Sequence, residues 1–210
     1  MVKEKIHHLF WFDTETTGLD PKINDVIQLS YLIERVDFAS KRRGEVLVEQ
    51  NLFLRPLNPQ NISAEAMRVN GRTLKEILEF PAPELALRTL KKDKIKYLPV
   101  GTDKMMAAGY NVDFDRQFLI NLFDVKMGKR EGAYWEILYY APYLCVMQQA
   151  FSRYVADALI DNSYPDLPDM KLKSVAKLVV SREELDKVAF HDASADIRLT
   201  RDIWYRMHNL

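Results

Sequence analysis

The chain has 210 residues, enough to bury a substantial core in one domain or in one domain with an insertion. Hydrophobic residues make up 48% and charged residues 29%, a globular composition that excludes disordered and fibrous classes. Thirty basic residues balance thirty acidic ones, so no overall field draws the chain to a polyanion, and any attraction to nucleic acid must come from bound cations or a local basic patch.

The segment MVKEKIHHLFWFDTE places basic residues before an apolar run, Leu9 to Phe12, that is too short for a signal peptide or a membrane span. A cytoplasmic protein with no membrane contact is expected. His7 to Asp13, Val26 to Glu34 and Glu45 to Arg55 read as strands, separated by the turn chemistry of Gly18-Leu19-Asp20-Pro21 and Lys41-Arg42-Arg43-Gly44. Short connections between consecutive strands predict an antiparallel meander. Helical signals follow: Ser63 as N-cap of a short helix, Thr73 to Leu78, and an amphipathic helix from Pro83 to about Lys96. Met105 to Asn111 reads as a buried strand that leads straight into a helix from Val112 to about Val125.

A basic, aromatic stretch precedes a helix over Cys145 to Leu159. Cys145 is the single cysteine, so no internal disulfide or cysteine-based zinc site can form, and it reads as a small buried hydrophobe. Asp161 to Asp169, with two prolines, reads as a surface loop. Helices are expected at Leu172 to Val180, Glu183 to Val188 and Asp192 to about Met207. Strands first and alternating strand and helix later point to an α/β fold, a mixed sheet with helices on its faces.

Four acids stand where the patterns call for apolar residues. Alternate residues of a strand share a face, so Asp13 and Glu15 continue the row begun by Leu9 and Trp11. In the next helix, Asp115 lies on the stripe of Phe118, Leu119 and Leu122; in the last, Asp196 aligns with Leu199, Ile203 and Met207. A single case would be explained by a cap or the helix dipole, as Asp192 is by its N-cap position. Asp25, Asp113 and Asp124 likewise read as ordinary loop or helix-end acids. Four carboxylates on three elements would repel one another and be driven to protonate if brought together uncompensated. A site for hard divalent cations, which take oxygen ligands, resolves this. His191, five residues before Asp196, is a candidate general base, since an unperturbed imidazole titrates near neutrality, at about 6.5.

These residues resemble the three ordered motifs of the DEDDh 3′–5′ exonucleases. Phe12-Asp13-Thr14-Glu15-Thr16-Thr17-Gly18 is similar to the first, Asn111-Val112-Asp113-Phe114-Asp115-Arg116-Gln117-Phe118-Leu119 to the second, and His191-Asp192-Ala193-Ser194-Ala195-Asp196 to the third. Ile62 to Gly71 resembles the family's stretch between its third strand and first helices. Within the family, the chain is similar to the proofreading exonuclease subunit of bacterial DNA polymerase III. The resemblance implies a ribonuclease H-like fold, a five-stranded mixed sheet flanked by helices on both faces, spanning 1–210 as one exonuclease domain. It implies two Mg²⁺ or Mn²⁺ ions held by Asp13, Glu15, Asp115 and Asp196, with His191 as base. Thr16, Val69, Asn70 and Phe114 would contact the terminal nucleotides; Asn70 stands where several members have histidine. Tyr110 replaces a histidine common before the motif asparagine, and the stretch before Cys145 lacks the Asp-Thr pair that many members carry.

Other signals read as structural. Lys126, Lys129 and Arg130, followed by Tyr134, Trp135, Tyr139 and Tyr140, could form a stacking surface for single strands, but core packing is the preferred reading. Lys171 and Lys173 read as solvated helix-start lysines. His7 and His8 point to opposite strand faces and make a poor metal pair. Gln28 to Leu32 (QLSYL) faintly resembles a sliding-clamp peptide, yet lies inside an expected strand. The expected function is a 3′–5′ exonuclease on single-stranded DNA ends, alone or with a polymerase partner. RNA trimming by the same chemistry and a non-catalytic nucleic-acid-binding module are the alternatives.

Overall fold

The computed structural model describes residues 6–98, 104–127, 133–161 and 169–210. β1 (Ile6–Thr16), β2 (Val26–Asp37) and β3 (Glu45–Phe53) form the expected antiparallel meander. β4 (Met106–Gly109) pairs in parallel with the other edge of β1, and β5 (Leu144–Cys145) with β4, giving the order β3-β2-β1-β4-β5. The helices are α1 (Ala64–Asn70), α2 (Leu74–Leu78), α3 (Pro83–Tyr97), α4 (Val112–Ile120), α5 (Ala133–Ile137), α6 (Val146–Ile160), α7 (Leu172–Val179), α8 (Arg182–Leu185) and α9 (Ala193–Met207). No helix among the described residues is long and apolar enough to cross a membrane.

Most starts carry the chemistry that the sequence offers. Ser63 caps α1, accepting from the Ala66 N–H, and Thr73 with Glu76 forms a capping box on α2. Three segments differ from expectation. Cys145, expected to begin a helix, instead ends the two-residue strand β5, because so short a strand carries no periodicity to read. A short helix, α5, occupies the basic, aromatic stretch. The helix begun by α4 widens into a π-helical turn over Asn121–Lys126. The loop expected at Asp161 to Asp169 lies, over residues 162–168, outside the described residues, as do Lys129 and Arg130.

Two apolar cores sandwich the sheet. On one face, Phe10, Phe12, Tyr31 and Ile33 pack under Leu87 and Leu90 of α3 and Phe118 and Leu119 of α4. On the other, Leu9, Trp11 and Leu32 meet Val175 of α7 and Ile197, Ile203 and Trp204 of α9. β1 is apolar on both faces for this reason, until its C-terminal end. The small residues of β4 let it sit close beside β1: a Cβ on Gly109 would meet the Phe12 carbonyl oxygen at 2.8 Å.

α9 is fastened to its face by a buried charge. Glu34 is fully buried and accepts hydrogen bonds from Trp11 Nε1 at 2.6 Å, Tyr205 Oη at 2.5 Å and Arg201 at 2.6 Å. Removing one partner of such a pair leaves an uncompensated buried charge, at a cost of about 3–5 kcal/mol. Arg201→Ala is therefore expected to lower unfolding stability by about that amount in a denaturant titration. Arg198→Ala, which breaks the exposed pair with Glu49, is expected to cost under about 1 kcal/mol.

Candidate active site

β1 delivers Asp13 and Glu15 on the face that receives α9, as the alternation of the strand requires. The register shifts between Glu15 and Thr16, a bulge that ends regular pairing with β2 beside the acids. α9 brings Asp196 to the same place in its first turn, N-capped by Asp192, which accepts from the Ala195 N–H at 3.0 Å. One carboxylate oxygen from each of Asp13, Glu15 and Asp196 lies within 4.8 Å of the other two.

Asp115 arrives from the opposite side of the sheet. Asn111 turns the chain in the left-handed region, with φ of 50°, between β4 and α4, so that Asp115 falls in the first turn of the helix. Thr14, on the other face of β1 from Asp13 and Glu15, grips it twice: Asp115 Oδ1 accepts from the Thr14 N–H at 3.0 Å and from Thr14 Oγ1 at 2.6 Å. The buried Asp115 carboxyl is thus fixed by the strand residue between the two acids of β1.

His191 sits exposed before α9 with φ of 65°, and its backbone N–H donates to Asp196 Oδ2 at 3.3 Å. Asp196 Oδ1 is buried and has no hydrogen-bond partner. An orphaned buried carboxylate oxygen is costly in a finished hydrogen-bond network. Beside Asp13 and Glu15 it has the character of an unused ligand, and an all-oxygen, all-anionic donor set fits a hard divalent cation.

The electrostatics agree. Burial first, and then the neighbouring carboxylates Asp115, Asp196 and Glu15, push Asp13 well above the ordinary aspartate range. Burial and the same kind of repulsion raise Glu15 to about 8, against a weak opposing pull from Arg72. Burial raises Asp115 to about 7 although the Thr14 bonds favour its charge, and raises Asp196 to about 6 against the His191 N–H.

The remaining expected site residues are Thr16, Phe114, Val69 and Asn70. Thr16 ends β1, its hydroxyl donating to the Gly18 carbonyl at 2.6 Å. Phe114 is half-buried on α4, its ring 4.9 Å from that of Phe118. Val69 is exposed on the last turn of α1. Asn70 accepts the Arg72 N–H at 3.0 Å and has a buried side-chain nitrogen with no partner.

Sequence reasoning overlooked two residues. Thr14 has no role assigned from the sequence, yet its N–H and hydroxyl together clamp Asp115. Arg72 gave no local signal at all. Of the acids read as ordinary, Asp25 is not: it is buried, paired with Lys126 at 2.8 Å, and accepts the Asn58 N–H at 2.6 Å. Lys126 is accordingly engaged within the protein and is not a free cation for a strand. Tyr134 is core, as expected, whereas Tyr139 and Tyr140 are exposed. The QLSYL stretch is strand β2, with Gln28 buried and donating to Asn51 and Asp192.

A model of the exonuclease family (RNase_T) matches residues 10–203. No curated protein matches the chain by sequence. Among solved structures, a zinc-bound complex of E. coli Exonuclease I with single-stranded DNA is similar, with a TM-score of 0.68 at 18% identity, over 97% of this chain and 40% of that one. The moderately thermophilic Exonuclease I from Methylocaldum szegediense gives a TM-score of 0.62 at 21% identity, over 97% and 40%. A 3′-exonuclease described as recognising the histone mRNA stem-loop gives 0.63 at 14%, over 96% and 63%. The chain thus spans about 40% of the length of these Exonuclease I chains. At these identities the likeness is one of fold.

Raised carboxyl pKa values set a sign for stability. Folded Glu15, Asp115 and Asp196 keep their protons to about 8, 7 and 6, whereas unfolded carboxyls release theirs near 4. Between these limits the folded state binds more protons, so the stability present at low pH is lost as pH rises. In chelator, the thermal midpoint is expected to fall from about pH 5 to about pH 8, and less steeply in Asp13→Asn. Equal slopes for the two proteins would contradict the cluster. Mn²⁺ is expected to raise the wild-type midpoint more at the higher pH, because binding must displace fewer protons there.

Proposed function

The chain belongs to the exonuclease family, and from that premise we propose that it is a 3′–5′ exonuclease, dependent on divalent metal, that hydrolyses the terminal phosphodiester bond of single-stranded DNA. The observation that carries this reading is the convergence of Asp13, Glu15 and Asp196 within ligand distance of one another, with Asp115 held beside them by Thr14. Separate elements of the fold would not assemble mutually repelling acids without a cation to compensate them.

Asp13, Glu15, Asp115 and Asp196 would hold two Mg²⁺ or Mn²⁺ ions. When bound, such ions supply charge stabilisation for the attacking and leaving oxygens of an in-line displacement. Asp13 and Glu15 sit on a strand buried between two layers, which fixes their positions before substrate arrives. Thr14 orients Asp115, and the His191 N–H orients Asp196. His191, on the exposed loop before α9, takes a proton from the attacking water. The water oxygen bonds to the terminal phosphorus as the bond to the 3′ oxygen breaks; that oxygen takes a proton from solvent to become the hydroxyl of the shortened strand, and a nucleoside 5′-monophosphate is released. Thr16, Val69, Asn70 and Phe114 border the terminal nucleotides. The single cysteine fits a reducing, cytoplasmic setting.

Single-stranded DNA is favoured as substrate by the likeness to Exonuclease I solved with DNA oligonucleotides. The likeness to a 3′-exonuclease described as recognising a histone mRNA stem-loop supports a second reading, an RNA end as substrate. The sequence resemblance to proofreading subunits adds a polymerase as a candidate partner, in proofreading or repair. A purely binding module is disfavoured because every acid of the set is present.

A panel of single- and double-stranded DNA and RNA, labelled at the 5′ end, tests the proposal in Mg²⁺ or Mn²⁺. Wild type is expected to give a ladder shortening from the 3′ end, and Asp13→Ala none. His191→Ala is expected to slow cleavage by about 10²–10⁴-fold. An intact label series for wild type on every substrate would sink the reading.

A further inference from the structure

Arg72 follows α1 by two residues, just past Gly71, whose φ of 67° turns the chain. Its guanidinium lies over the Phe53 ring, 4.7 Å from the centroid, with the Phe80 ring 5.9 Å away. Those two rings are themselves 4.9 Å apart, so the cation rests on an aromatic platform built from the end of β3 and the segment after α2. Its backbone is fixed as well, through the N–H donated to Asn70 Oδ1.

Among the described residues, the guanidinium has no hydrogen bond and no ion pair, although other arginines of the fold, such as Arg116, Arg201 and Arg206, are paired. It is only half-buried, so its donors have access to solvent. Stacking occupies the flat face of the group and leaves the N–H edge, the edge that matches a phosphate, unoccupied. The platform lies in the same cross-strand row as the acids, since Phe53 of β3 pairs with Gln28 of β2 and Gln28 with Glu15 of β1. In the same segment, the Asn70 side-chain nitrogen is buried and unpartnered.

We propose that Arg72 is a substrate-binding residue whose guanidinium, pre-positioned on Phe53 and Phe80, grips a backbone phosphate of the strand whose 3′ end lies in the acid cluster. This rests on the exonuclease reading above and adds to it. A balanced net charge leaves no general field for a polyanion, so a held cation beside the acids supplies the local attraction that the composition lacks. The same cation offsets repulsion between the carboxylates and the incoming phosphate. Asparagine at position 70 accepts the Arg72 N–H, so the two residues form one unit at the rim.

Steady-state cleavage of a single-stranded oligodeoxynucleotide by the full chain, at salt from about 50 to about 200 mM, tests the assignment. Arg72→Ala is expected to raise KM about tenfold with a smaller change in kcat, and to reduce the slope of log(kcat/KM) against log salt by about 0.7, the value for one lost contact on a single strand. Arg72→Lys should keep the slope but recover only part of the KM, because an ammonium neither stacks nor forks. A second set of oligonucleotides carries one uncharged methylphosphonate linkage at a time near the 3′ end. One linkage should weaken wild type and have no further effect on Arg72→Ala. Wild-type KM and salt slope in Arg72→Ala, or a loss of rate with the salt slope and the linkage pattern unchanged, would overturn the assignment. A wild type that cleaves nothing would defeat the exonuclease reading instead, so the two failures are distinct.

Discussion

Like charges have to be held together against their own repulsion, and the layout of this protein follows from that constraint. Asp13, Glu15 and Asp196 share a space of under 4.8 Å, and burial raises the cost of ionising each of them. Loops could not sustain such an arrangement, because a mobile carboxylate would swing out to water. The acids are therefore carried by a central strand and by the first turns of two helices, all anchored by packing remote from the charges.

β1 is the shared support. Its two faces serve two different partners, one face taking α9 and the other α4, and its last residues belong to both. Asp13 and Glu15 meet Asp196 on the first face, while Thr14 holds Asp115 from the second. The close approach of β4 at Gly109 sets where α4 can begin. Two residues before Asp13 on the same strand, Trp11 donates to Glu34, which also binds Arg201 and Tyr205. α9 is thus pinned at one end by a compensated buried charge, and presents an uncompensated carboxylate at the other. That contrast separates structure from chemistry: in the first case the protein supplies the counter-charge, and in the second it does not.

The rim is organised by another buried pair. Asp25 binds Lys126 and the Asn58 backbone, and Thr17 receives the Ser63 N–H at 2.7 Å. The turn after β1, the segment leading into α1 and the π-helical turn are thereby joined. The segment that carries Asn70 and Arg72 is thus tied, at Ser63, to the turn that follows the strand bearing Glu15.

The meander, most helix starts and the four acids were legible in the sequence because each is a local matter. Strand alternation, cap residues and a carboxylate on an apolar stripe need only a few neighbours to be seen. The order of the motifs gave the family, which the match over residues 10–203 then showed. What could not be read there depends on contacts across long separations. β5 is a strand only because β4 lies beside it; Lys126 is neutralised by a residue about a hundred positions away, and Asp25 is buried by the same contact. Thr14 clamps Asp115 at a similar distance in the chain. Arg72 becomes a candidate phosphate ligand only when Phe53 and Phe80 fold beneath it. Local patterning determined which residues are chemically out of place, and the tertiary structure decided which of them meet, because proximity between distant residues is a property of packing and not of neighbouring sequence.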